Sequence, residues 1–125
     1  MTKIARLAVA ESVAIDMHRL EQIVTELGET TAVHVIGAAL EQLALALNRT
    51  TEAAEKVALA DVTLHADHLS RLAWQVGLVT LAGVAIDVGS CAERRDHTAL
   101  AATSARLARI GNQSLTQIWD APGDG

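Results

Sequence analysis

The chain has no phenylalanine and no tyrosine, a single proline at Pro122 and a single cysteine at Cys91. Without proline before the C-terminal end, nothing in the body of the chain interrupts helical backbone by removing an amide donor. Composition is half hydrophobic, mostly Ala, Leu and Val with two tryptophans, and this favours helices throughout. One cysteine excludes an intramolecular disulfide, and with no base in view for it, Cys91 reads as a buried, inert thiol. Basic residues are scarce as well: ten Lys and Arg face fifteen Asp and Glu, for a net charge of -5. They are scattered rather than clustered, which argues against a nucleic-acid backbone as partner. No long apolar run is present either. The longest uncharged segment, Leu72 to Ile86, falls short of the roughly 18 apolar residues a membrane span requires and is punctuated by Gln75, Gly77 and Gly83. Arg6 and Glu11 interrupt any apolar leader, so a cytoplasmic location without a membrane partner is expected. Strand-period alternation, internal repeats, glycine-rich phosphate loops and nucleophile elbows are all missing.

What is there is helical periodicity. At 125 residues the chain is one domain with room for a core of its own. Ile4, Leu7, Ala8 and Val13 suggest a first helix over 3–14, and Asp16 is placed to cap a second. That helix presents Leu20, Ile23, Val24 and Leu27 and stops at Gly28. Thr30 or Thr31 would start a third, with Val33, Ile36, Leu40, Leu43 and Leu47 on one face, ending near Asn48. Thr50 or Thr51 would start a fourth, with Glu52, Glu55 and Lys56 exposed in its first turns, ending near Gly77. A fifth, from about Leu78 to Arg94, is apolar around most of its circumference and should be the most buried, with Gly83 and Gly89 closely packed by neighbours. Asp96 would cap a sixth, carrying Leu100, Leu107, Ile110, Leu115 and Ile118, with Arg106 and Arg109 outside. Residues 121–125 read as a disordered tail. Short connections place successive helices side by side in opposite directions, giving an all-α antiparallel bundle over residues 1–120 with one or two extra N-terminal helices.

The stretch from Ala58 to Gly77 combines this periodicity with clustered ionisable groups. At about 100° per residue, Ala58, Val62, His65, Leu69, Leu72, Ala73 and Val76 form the stripe to be buried. The opposite face carries Ala60, Thr63, Leu64, Asp67, Arg71 and Trp74. A carboxylate with an arginine one turn on, flanked by leucine and tryptophan, suits a docking surface better than a solvated face.

Asp67-His68-Leu69-Ser70-Arg71-Leu72-Ala73, followed by Gly77, resembles the signature H-x-L-K-G-x-A of the histidine-containing phosphotransfer (Hpt) domains of bacterial phosphorelays, in which a glycine follows ten residues after the acceptor histidine. Leucine, alanine and glycine are in register, while Asp67 stands in the acceptor slot, Ser70 replaces the lysine and Arg71 the glycine. Ile15-Asp16, Leu20 and Leu27-Gly28 are similar to the family's opening. Ile86-Asp87, Arg94-Arg95-Asp96 and Leu100 are similar to its closing helix pair. The resemblance implies a helical phosphorelay module that docks a response-regulator receiver domain or a histidine kinase through Leu64, Asp67, Arg71 and Trp74. With a carboxylate in the acceptor slot, phosphotransfer is not expected.

Other readings stay open. His68 has Arg71 three residues on, as the lysine follows the acceptor in the family, and is the phosphoacceptor candidate of an active relay protein. Leu72 in its next turn argues for an ordinary boundary histidine. His65, in the apolar stripe, reads as a core histidine. Asp61, His65 and His68 lie along one side of a helix and permit a metal reading, but the second helix with a Glu-x-x-His pair that bundle sites recruit is missing, and no metal or cofactor is expected. His18 and His97 read as surface residues. A helix apolar on two sides also suits a homodimer through the Trp74 face.

Overall fold

The computed structural model describes residues 11–120, with side chains to Ile118. Five helices follow one another: α1 Met17–Leu27, α2 Glu29–Glu55, α3 Leu59–Gln75, α4 Val79–Glu93 and α5 His97–Asp120. Each of the last four packs on the next and α5 closes against α2, so α2 to α5 form an antiparallel four-helix bundle while α1 lies on α2. Leu43, Val62, Leu69, Leu81, Val88, Leu107 and Ile110 meet at its centre, fully shielded from solvent. The expected tail 121–125, like residues 1–10, lies outside the described residues.

Local chemistry explains where the helices stop. The Asp16 carboxylate accepts from the Arg19 amide at 3.2 Å and caps α1. Asp96 does the same for α5 through the Ala99 amide. Three helices end in the same six-residue wrap, in which an amide reaches back five residues: Ala58 to Ala53, Leu78 to Ala73 and Asp96 to Cys91. The residue before each of those donors adopts left-handed backbone: Val57 at φ 55°, Gly77 at φ 78° and Arg95 at φ 56°. Gly77 is required twice over, since an added Cβ would sit 2.8 Å from the Asp16 carbonyl oxygen.

Several sequence expectations are corrected. The third and fourth predicted helices do not divide at Asn48–Thr51; α2 runs straight through, and the turn falls at residues 56–58. Threonine hydroxyls resolve the apparent break, because Thr50 donates to the Ala46 carbonyl at 2.7 Å and Thr51 to those of Leu47 and Asn48. Glu52 and Lys56 therefore pair in the last turn of α2, not the first of α3. Neither Thr30 nor Thr31 caps α2, which starts directly after Gly28 without a side-chain cap, and Val33 is exposed.

The helix expected over 3–14 is not helical in its described part. Residues 11–16 form an extended strap instead. Arg106 holds the Glu11 carboxylate through two hydrogen bonds of 2.9 and 2.6 Å, and the Gln113 side chain donates to the Glu11 carbonyl. Further along, the Ala14 amide donates to the Thr80 hydroxyl, Ile15 bridges Leu78, and the Asp16 amide donates to the Gly77 carbonyl. These partners satisfy amides and carbonyls that a helix would have satisfied locally, and Val13 and Ile15 pack on the core. The Arg106 hydrogen bond and charge hold the Glu11 carboxyl below its ordinary range, and the same hydrogen bond with the Glu11 charge pushes the guanidinium up.

As expected, α4 is deeply buried, with Leu81, Ala82, Val84, Ala85, Val88, Gly89, Cys91 and Ala92 shielded. Its glycines are not pressed by neighbours: nothing lies within 4 Å of a Cβ added at Gly83, and one at Gly89 would make ordinary contact with Ala66. The tight approach is at Gly111 on α5, where the Leu47 side chain fills the space of a Cβ. Among the described residues, α2 alone has the length and composition of a membrane crossing; its Leu40, Leu43 and Leu47 pack in the bundle core, and Glu41 and Arg49 are exposed on its outer side.

Candidate functional site

Helix α3 buries Val62, Ala66, Leu69, Ser70, Leu72 and Ala73. Leu64, Asp67, Arg71 and Trp74 fall within about 80° of one another on the opposite side. All four are exposed, Leu64 at 63% and Trp74 at 52%. Sequence periodicity thus places the candidate docking residues where the structure has them, on one outward stripe.

The chemistry of that stripe is modest in charge and rich in apolar surface. Arg71 Nη2 lies 3.1 Å from Asp67 Oδ2, with both side chains about two-thirds exposed. Such a pair contributes a few tenths of a kcal/mol on a helix surface, so it orients the two side chains more than it stabilises the fold. Ser70, where the family signature has lysine, is buried and donates to the Asp67 carbonyl at 2.8 Å. This position therefore offers no cation to an incoming phosphoryl group.

Asp67 and the histidines open toward different sides of α3. Asp67 lines a groove shared with α4, together with Thr63, Leu64, Ser70, Ala85, Ile86, Gly89, Ser90 and Glu93. Its volume is about 530 Å³ and it is open to solvent along its length. Ile86 stands on the α4 rim, 52% exposed, and periodicity had not singled it out because it sits in the most apolar helix of the chain.

His65 faces α2, in a shallower depression with Arg49, Glu52, Lys56 and Asp61, and is half-buried instead of sealed in the core. The stripe rolls by a few tens of degrees relative to the expected one, putting Ala66 inward in its place. His68 is exposed, and Leu72 does not obstruct it because Leu72 points into the core. Asp61, His65 and His68 do not assemble a metal site: among the described residues no group of three or more His, Cys, Asp or Glu is arranged to hold an ion. His18 and His97 are exposed, as expected. Cys91 is a buried free thiol that accepts from Arg94 and Thr103 at 3.6 and 3.7 Å.

No family model matches the chain, and no curated protein or solved structure matches it either.

Two backbone contacts fix the orientation of this face. Arg19 Nε donates to the Gln75 carbonyl at 3.0 Å, and the Asp16 amide donates to the Gly77 carbonyl at 2.7 Å. The last turn of α3, which carries Trp74, is thus held by the start of α1.

Proposed function

We propose that the protein is a docking module of a phosphorelay type, in which the outward face of α3 binds a response-regulator receiver domain or a histidine kinase without accepting a phosphoryl group. The observation that carries this reading is the single stripe of Leu64, Asp67, Arg71 and Trp74, fully outward on a rigid bundle helix and extended by Ile86 across the groove. Exposed tryptophan and arginine are the residue types enriched among the anchors of protein interfaces, and the aliphatic side chains beside them extend the exposed apolar patch. The absence of transfer follows from chemistry: a carboxylate at position 67 is not an imidazole nucleophile, and it already pairs with the neighbouring guanidinium.

One observation favours a second reading. His68 is solvent-exposed on the same helix, so its ring is accessible to a donor phosphate. An active relay protein using His68 would take up acid-labile label from a radiolabelled phospho-receiver domain, and His68→Ala would abolish it.

The deciding experiment titrates the purified chain against a panel of receiver and kinase domains and follows label in parallel. Binding that weakens at least tenfold in Trp74→Ala or Leu64→Ala, with no histidine label, supports docking without transfer. Label lost in His68→Ala replaces this reading with the active one. Capture indifferent to both substitutions refutes the α3 face.

A further inference from the structure

The groove between α3 and α4 has a shape and charge that specify what fills it. Its rims are apolar, Leu64 on one side and Ile86 on the other, and its floor is small, made by Ser70, Ala85 and Gly89. The charged side chains lining it, Asp67 and Glu93, are both carboxylates. Arg71 and Arg94 stand at its edges and are engaged, Arg71 with Asp67 and Arg94 with the Ser90 hydroxyl at 2.7 Å. Since Gly89 lies opposite Ala66, the antiparallel register puts Asp67 and Glu93 about 7.5 Å apart along the bundle axis, a little under one and a half helical turns.

The glycines of α4 add an independent indication. Glycine inside a helix is destabilising relative to alanine, and Gly89 in the groove floor is not demanded from within, since a Cβ there makes only ordinary contact with Ala66; Gly83, outside the groove, faces open space. Val79, Gly83, Ile86, Ser90 and Glu93 recur every three and four residues on the part of α4 turned away from the core, parallel to Leu64, Asp67, Arg71 and Trp74 on α3. Two adjacent ridges of this period, with small residues between large ones, match the surface into which the side chains of a third helix interdigitate.

Resting on the docking reading above, we infer that the occupant of this groove is an amphipathic helix of the partner, whose apolar stripe seats between Leu64 and Ile86 and whose basic residues meet Asp67 and Glu93. The bound helix lies along α3 and α4, and its lysines or arginines share the Asp67 carboxylate with Arg71. Raised salt weakens this complex, because the charged contacts sit at the solvent edge.

The test uses the full chain with Trp119→Phe, so that Trp74 is the sole tryptophan, and two synthetic helical peptides of 18 residues. Both carry the same leucine and alanine stripe, one with lysines flanking it and the other with glutamates. The expected result is a saturable blue shift of Trp74 emission with the lysine peptide and at least tenfold weaker binding of the glutamate peptide. Asp67→Lys with Glu93→Lys should reverse that preference, whereas Glu26→Lys on α1 should leave it unchanged. Gly89→Ala, in the groove floor, should raise the melting temperature yet weaken the lysine peptide, a combination that loss of folding cannot produce. Equal binding of the two peptides, no binding of either, or a preference untouched by charge reversal at 67 and 93 overturns the inference. The docking reading stands or falls separately, on whether Trp74→Ala weakens capture by receiver or kinase domains.

Discussion

Val57 holds a β-branched side chain at φ 55°, in the backbone region that glycine occupies at the equivalent place after α3. Left-handed backbone costs such a residue about 1–2 kcal/mol, partly offset by the larger chain entropy glycine has when unfolded. Val57→Gly is therefore expected to stabilise the bundle by a few tenths to about 1 kcal/mol, read as a shift of the urea midpoint at constant slope. Gly77→Ala should do the opposite and more strongly, by about 2 kcal/mol, because it combines the left-handed penalty with a clash against a carbonyl oxygen that cannot swing away. Glu11 gives a pH-dependent test at the same scale. Its hydrogen bond to Arg106 depresses the folded pKa, so its stabilisation is complete above the ordinary glutamate range and disappears as pH falls through the folded value below that range. Urea midpoints of the native chain and of Glu11→Gln should differ at pH 7 and converge in the acid range; a constant gap would mean that the carboxylate contributes nothing through its charge.

Among the elements, those ended by local chemistry were readable and those ended by distant partners were not. Asp16, Gly28, Gly77 and Asp96 mark helix ends in the sequence because each acts on its own or adjacent backbone. The turn at Val57 carries no such signal, since valine is the wrong residue for it, and the threonines at 50 and 51 mimic a helix start while their hydroxyls bond backward. Residues 11–14 carry a helical pattern in the sequence, but what holds them extended, Thr80, Arg106 and Gln113, lies 66 to 102 residues away. The candidate site was legible on α3 through its period, but Ile86 and the groove depend on how α4 lies beside α3 and appear only in three dimensions. Asp16→Ala tests an end that was readable: losing the cap should cost about 1 kcal/mol and selectively raise amide exchange in the first turn of α1.

For the molecule as a whole, the bundle is a ring of four helices in which, among the described residues, no buried side-chain nitrogen or oxygen is left without a hydrogen-bond partner. Leu43 is fully sealed in it, and Leu43→Ala should cost about 2–5 kcal/mol by equilibrium unfolding, with the helices lost together. That rigidity matters for the proposed docking: the outward ridges of α3 and α4 are preformed, so binding need not order them.

The hydrogen bonds from Asp16 and Arg19 to the end of α3 set the dynamics of that face. Carbonyls at a helix's C-terminal end normally lack intrahelical partners, yet here the Gln75 oxygen is held by Arg19 of α1 and the Gly77 oxygen by the Asp16 amide at the end of the strap. Fraying at Trp74 and detachment of residues 16–19 are therefore expected to share one opening free energy, read as matching amide-exchange protection in two segments more than fifty positions apart in the chain.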